Sequence, residues 1–417
     1  MRIAIVGTGI SGLVAAHLLS ERHDVTVFEA DDRPGGHTNT VRVDLPDASV
    51  DVDTGFLVYN DRTYPNFIRL LERLGVATQA SDMSFGVQDE RTGIEWRATS
   101  LSTVLAQPSN ALRPDFVRML VDIARFNRIG RRILTDPPPL SVTLEDVLAG
   151  GRWSEGFRSW YLVPIGSSIW SADPTTFLRM PAYTFCRFFE RHGLLAFGDQ
   201  PQWRTVTGGA RNYVDAILDP LRAEGRLRLG SPVDKVRRSD GGVELVGAAF
   251  GAESFDHVVL AGHAPQMLGL LSDADRLERE VLGALRTQPN RATLHTDASV
   301  MPRARRAWAS WNYHRTDPEH DSATLTYYLN SLQSLDSDHP VFVTLNRDDV
   351  IDPDKVVASF DYAHPVVDGS SVAARARHDE LNGRRNTWYA GAYWGSGFHE
   401  DGVVSALAAC RALGADL

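Results

Sequence analysis

Read as alternating apolar and polar positions, the chain opens with a short β-branched run, Arg2 to Val6. Gly7, Gly9 and Gly12 follow, and apolar residues then recur at helical spacing from Ile10 to Leu19. This pattern predicts strand, tight turn and helix. Asp24 to Phe28 predicts a second strand. Further on, "SPVDKVRRSDGGVELV" (231–246) reads as strand, turn and strand, and "FDHVVLAGHAP" (255–265) as an apolar strand opening onto small residues. Near residue 390 the pattern returns: a strand ends at Ala390 and Gly391, a glycine-rich loop follows, and an apolar-periodic helix is expected from Gly402. The blocks between differ. Residues 83–204 read as helical and rich in aromatics, with a stiff proline turn at "TDPPPLS" (135–141), whereas 264–385 contains strand-like runs such as "SATLTYYLNSL" and "PVFVTLN".

Each early glycine has its own reason. Gly7 makes the turn, Gly9 lets backbone approach a pyrophosphate, and Gly12 lets the helix pack on the strand. The first helical residues, Ile10 and Ser11, then turn their N–H groups toward phosphate. Glu29 closes the second strand at the spacing where a ribose hydroxyl finds its acceptor, which completes a dinucleotide-binding fingerprint. Its carboxylate disfavours a 2′-phosphate and therefore NADP. Ala30, Arg33 and "PGGHT" follow at once. The pair Gly35 and Gly36, continued by His37 and Thr38, lets a second loop lie along pyrophosphate and ribitol, which FAD has and a simple NAD site does not require.

At these residues the chain resembles the FAD-dependent amine oxidase and phytoene desaturase superfamily, which shares the glycine fingerprint, the acidic residue and a basic-x-Gly-Gly step. The implied fold is α/β: a Rossmann-type FAD-binding domain interleaved with an α+β substrate domain, an amine oxidase-like two-domain flavoprotein. Residues 1–82, 205–263 and 386–417 are expected to form the first domain, and 83–204 with 264–385 the second. Most relatives have arginine after the glycine pair, where this chain has His37, expected as a polar, non-covalent contact to FAD, with a covalent link as the alternative. The resemblance further implies that the strand carrying Val233 lies along the adenine. In "DVDTGFLVYN" it places Gly55 against the flavin, with Phe56, Tyr59 and Asn60 toward the substrate; for Tyr59 a packing role is the competing reading. Gly391, Ala392, Gly402 and Val403 would form the closing cofactor motif, although Ala392 replaces its usual glutamate. "SGFHE" (396–400) resembles the amine oxidases' Ser-Gly-Tyr-Met-Glu and sets Phe398 where those enzymes have one wall of an aromatic cage. They also carry a lysine beside the flavin, for which neither Lys235 nor Lys355 is well placed.

Through "GGHT", "DTGFLVYN", "WNYH" and "AHPV" the chain is most similar to bacterial NAD/FAD-binding oxidoreductases associated with cyclopropane-fatty-acid-synthase-like methyltransferases. That likeness implies dehydrogenation of a fatty-acyl or phospholipid substrate by hydride transfer to flavin, and a methyltransferase partner. Amine oxidation, a redox-neutral lipid isomerisation and a non-catalytic flavin-binding role are the alternatives.

Composition narrows the picture. A chain of 417 residues with 43% hydrophobic content can bury two large cores. No leader pattern and no apolar run long enough for a membrane span is visible, so a cytoplasmic protein is expected, with peripheral contact at the inner membrane face as a further option. A net charge of −10 argues against nucleic-acid binding. Cys186 and Cys410 are isolated and read as packing residues. No spacing suggests a metal.

Histidines in aromatic surroundings, His295, His314 and His364, are the acid–base candidates, with His364 of "FDYAHPVVD" preferred alongside Tyr59 and Phe398 as catalytic residues. In "PDFVRMLVDIARFNRIGRRIL" (114–134), Arg118, Arg125 and Arg132 share one helix face and Phe116, Met119, Leu120, Ile123 and Leu134 populate the other. Such a helix can rest on an anionic bilayer or flank an acyl tunnel; a solvated face over a core is the plainer reading. With "WYLVPIGSSIW" and "FCRFFERHGLLAF", this region offers ample apolar surface for a long ligand.

Overall fold

The computed structural model describes residues 1–196, 198, 200–316 and 322–417. Phe197, which ends the last aromatic segment above, lies outside the described residues.

The first strand, Arg2–Val6, pairs in parallel with Asp24–Phe28 on one side and His257–Leu260 on the other. Leu227–Arg228 and Thr387–Tyr389 extend the sheet to five parallel strands, so it gathers residues from both ends of the chain. A parallel sheet needs both faces covered. One face carries the helices Ile10–Leu19, Arg211–Ala223 and His399–Ala412; the other carries an antiparallel meander (Lys235–Ser239, Gly242–Gly247, Gly251–Phe255) and the helix Ala264–Leu270. Ile10–Leu19 is buried on nearly every side, which explains its lack of a polar stripe. Val233 sits in the loop before the meander, not within a strand as expected, because the ladder begins only at Lys235.

The second half of the molecule is a seven-stranded mixed sheet, in the order Val356–Pro365, Thr287–His295, Phe342–Leu345, Leu325–Tyr328, Trp311–Arg315, Phe85–Asp89 and Ile94–Arg97. The block expected to be helical thus supplies the last two strands. Helices Pro114–Thr135, Val163–Trp170 and Ala182–Arg191 pack with this sheet around one apolar core. Leu325–Tyr328 ends in a helical turn, Leu329–Leu332, so the run "SATLTYYLNSL" is only half strand. Among the described residues no helix is long and apolar enough to cross a membrane.

The helix expected from Gly402 begins at His399. The Asp401 carboxylate reaches back to accept from the N–H groups of Phe398 (3.0 Å) and Ser396 (2.9 Å), which stabilises an earlier start. Gly402 is thereby moved into the helix, pressed against Ile10, and its carbonyl accepts from Ser11 Oγ at 2.9 Å.

Candidate active site

One cavity of about 1330 Å³ runs from the first glycine turn into the second half of the molecule. Its near end is shaped by backbone. Gly7 has φ +101°, and a Cβ on Gly12 would stand 1.9 Å from the Gly7 carbonyl oxygen, so both positions require glycine for reasons internal to the fold. Gly9 is different: its φ is ordinary, and nothing lies within 4 Å of where its Cβ would be. That space belongs to the cavity, and no side chain caps the helix behind it. An uncapped helix N-terminus facing an open cradle is the arrangement that holds a pyrophosphate.

Glu29 stands beside this cradle and accepts from the Thr8 N–H (2.9 Å), the Thr8 hydroxyl and the Asp31 N–H (3.1 Å), leaving carboxylate lone pairs for a ribose. Gly35 and Gly36 both have positive φ, and a Cβ on Gly36 would come 3.2 Å from Gly9 Cα. Arg33 does not reach past this loop: its guanidinium donates to the carbonyls of Gly36 and Thr38, fixing the loop from within. Gly55 closes against it, since a Cβ there would meet the His37 carbonyl at 2.3 Å. Ile10, Ser11, Ala30, Phe56, Val233, Gly391 and Ala392 also line the cavity. These residues fit FAD, which would be held by the Ile10–Leu19 N-terminus, Glu29 and the two glycine loops.

Four expected site residues lie behind the wall. Thr38 Oγ1 bonds Tyr213 and His399, Gly402 and Val403 are buried in helix packing, and Tyr59 packs against Tyr64 and Phe67 in the core. Gly12 likewise serves packing alone. For Tyr59 the strand Tyr59–Asn60 turns the ring inward, so the catalytic assignment is corrected to a packing role.

At the waist of the cavity stand three histidines. His37 stacks on Tyr362 (centroids 4.9 Å) and meets His263 (5.6 Å) and His364 (5.4 Å) edge-on. Burial holds all three neutral, His37 and His263 below their ordinary pKa and His364 at about 4. Their proton positions follow from neighbours. The Arg291 N–H donates to Asn346 Oδ1 (2.9 Å), so Asn346 Nδ2 donates to Asn290 Oδ1 (2.7 Å), and Asn290 Nδ2 donates to His364 Nδ1 (2.9 Å). His364 therefore carries its proton on Nε2, as a donor with no lone pair there to offer. His37 is the reverse: its ring donates to the Ala363 carbonyl while Nε2 has no partner, so Nε2 is a free acceptor. The sequence pointed to His364 as an acid–base candidate and to His37 as a polar cofactor contact; both line the cavity, His364 with a donor N–H and His37 with Nε2 buried and unpartnered.

His295 and His314 take no part in the cavity. They bond Thr344 (2.7 Å) and Thr326 (2.8 Å) inside the seven-stranded sheet, and the two threonines bond each other. Lys355 pairs with Asp297 at 3.1 Å, and no lysine lines the cavity.

Beyond the waist the walls become apolar. Phe398 stacks on Phe188 (5.1 Å), which stacks on His192 (3.8 Å). His192 Nδ1 faces the Phe188 carbonyl at 2.8 Å and must donate, which turns Nε2 toward the Thr63 hydroxyl and uses up the ring. Past them Trp96, Leu120, Ile123, Ile165 and Trp311 form a largely apolar chamber wall that also carries Asn127 and Ser168, with Asp82 on the same lining near Ala98. The sequence pointed to the segments of Leu120, Ile123, Ile165, Phe188 and His192 as material for a long ligand but missed Trp96, Trp311 and Asp53: buried, pushed up to about 7 by desolvation, the Asp53 carboxylate accepts from Thr40 and the Ala210 N–H and ties the cradle to the Arg211–Ala223 helix.

Comparison with known proteins places this geometry. A family model described as flavin containing amine oxidoreductase matches residues 10–291. A protein of Mycobacterium tuberculosis named as a flavin-containing monoamine oxidase, AofH, is 29% identical over 259 residues, 58% of this chain and 53% of its own length. A 4,4'-diapophytoene desaturase of Staphylococcus aureus is 27% identical over 145 residues, 32% of this chain and 27% of that protein. The chain thus spans about half the length, or less, of these curated relatives. In fold it is similar to a CLA-producing fatty acid isomerase from P. acnes, with a TM-score of 0.70 at 17% identity over 98% of each chain.

Proposed function

Starting from the fact that the chain belongs to the flavin containing amine oxidoreductase family, we propose that it is an FAD-dependent oxidoreductase that dehydrogenates a long apolar substrate, a fatty-acyl chain. The observation that carries this reading is the chamber: an extension of the cofactor cavity walled by Trp96, Leu120, Ile123, Tyr161, Ile165 and Trp311, with no lysine on the wall. Each methylene of an acyl chain buried against these walls gains about 0.8 kcal/mol.

Bound FAD supplies the two-electron acceptor for a C–H bond of the chain, and dioxygen or a quinone restores it. The protein's own work is placement and proton handling. The apolar walls exclude water and align the chain. His37 Nε2 is buried without a partner, and His364 Nε2–H is the fixed donor beside it, so this pair sets the polarity of the wall where the substrate meets the flavin. The sequence resemblance to oxidoreductases associated with cyclopropane-fatty-acid-synthase-like methyltransferases adds a methyltransferase partner, which would deliver a freshly methylated chain, to this proposal.

The test is an anaerobic titration of the purified holoprotein followed by its flavin absorption. Extracted bacterial phospholipids, with and without methyl branches, are expected to bleach the flavin and to yield a product two hydrogens lighter. Bleaching by amines alone would overturn the reading. Altered lipid without acceptor consumption would convert it to a redox-neutral isomerase.

A further inference from the structure

The helix Pro114–Thr135 has two differently occupied faces. Its inner face gives Leu120, Ile123 and Asn127 to the chamber wall. Its outer face leaves Val117 and Val121 46% and 63% exposed, and the turn before it leaves Leu112 86% exposed. Few large apolar residues of the described chain are exposed at all, so three within one short stretch form a patch and not a scatter. The same outer face carries Arg118, Arg128 and Arg132, none with a hydrogen-bond or ion-pair partner among the described residues, and its exposed acid is Asp115 alone. On a chain of net charge −10, an unpaired cationic face interleaved with valine is a local exception.

The cavity also reaches the surface at Ala98, Thr99 and Ser100, which are exposed and line it with Asp82, followed by Val104 on its wall. We propose that Leu112, Val117 and Val121, flanked by these arginines, seat the chamber mouth on an anionic lipid bilayer, so that acyl chains pass from membrane to chamber along the inner face of the same helix. Charge complementarity selects the occupant, since valine and leucine enter the headgroup boundary while guanidinium groups stay at the phosphates. This rests on the lipid reading of the chamber, but it is measured without turnover, so a failed substrate assay and a failed membrane assay are separate results.

The experiment is sedimentation of the holoprotein with phosphatidylcholine vesicles and with phosphatidylcholine–phosphatidylglycerol vesicles. Binding is expected only to the anionic vesicles and is expected to weaken with salt. Val117→Asp with Val121→Asp, and separately Arg118→Glu with Arg128→Glu and Arg132→Glu, are expected to lower affinity by about a hundredfold. Both variants should keep the circular dichroism and bound flavin of the parent, because these side chains face solvent. No sedimentation with either vesicle, or binding that the variants leave unchanged, would overturn the proposal. Self-association abolished by the aspartate variants would also overturn it, by assigning the face to a second copy of the chain.

Discussion

At the near end of the cavity, residues act through what their backbones leave free; in the chamber, residues act through the side chains they bring in. Gly9, Gly36 and Gly55 shape the cradle by lacking a Cβ, and they sit within a few dozen positions of one another. The chamber draws Trp96, Ile165 and Trp311 from three remote segments. The cradle therefore tolerates almost no change in residue type at a few positions, while the chamber should tolerate many changes that preserve volume and polarity.

A substitution pair tests the cradle most severely. Gly12→Ala is expected to cost several kcal/mol, because its methyl meets the Gly7 carbonyl, and to lower Tm sharply with or without FAD. Gly9→Leu should keep the Tm of the cofactor-free protein and lose FAD affinity by about a hundredfold or more, since only the ligand's space is filled. Equal destabilisation by both would erase the distinction between packing glycine and binding glycine.

In the chamber, Ile123→Trp is expected to leave the flavin spectrum unchanged and to lower kcat/KM for long acyl chains by about tenfold, with a smaller effect on short ones. A uniform loss across chain lengths would place the substrate elsewhere.

Between the two ends, Asn290→Asp presents His364 Nδ1 with an acceptor in place of a donor. The proton should move to Nδ1 and the ring pKa should rise from about 4 toward neutrality, visible in its 15N shifts and as a new ionisation in the pH–rate profile. Unaltered 15N shifts would break the assigned chain of hydrogen bonds.

The smallest effect is on stability against pH. His37, His192, His263, His364 and His399 all have folded-state pKa values below the ordinary 6.5, so the unfolded chain binds more protons as pH falls. Their contribution is fully present above pH 6.5 and is lost progressively toward pH 4. Asp53, raised to about 7, acts in the opposite sense together with Asp215 and Asp401, which burial also raises, and these three are outnumbered by the histidines. Thermal melts from pH 7 to pH 4.5 should show Tm falling; a rise would mean that carboxylates dominate.

These contrasts also explain what could be read from the chain. The strand–glycine–helix turn and the Gly35–Gly36 loop are local, and each glycine's reason lies within its own turn, so the cradle was legible. Tyr59 was placed one residue layer too far forward, because a short strand's inward and outward faces depend on its partner, here Trp203–Val206; Thr38 is turned away by Tyr213 and His399, which are remote in sequence. The proton on His364 could not be read at all: it is set by Asn290 and Asn346, remote in sequence and adjacent only across the seven-stranded sheet.

The contact of Ser11 with Gly402 carries a consequence for biosynthesis. The helix that covers the first helix, and the Thr387–Tyr389 strand that completes its sheet, are synthesised long after it. At roughly 5–20 residues per second the nascent chain waits on the order of 20 to 80 seconds with this apolar helix uncovered. Through that interval the protein is a client for holding factors, and its yield in a cell should depend on chaperone supply more than on the stability of the finished fold.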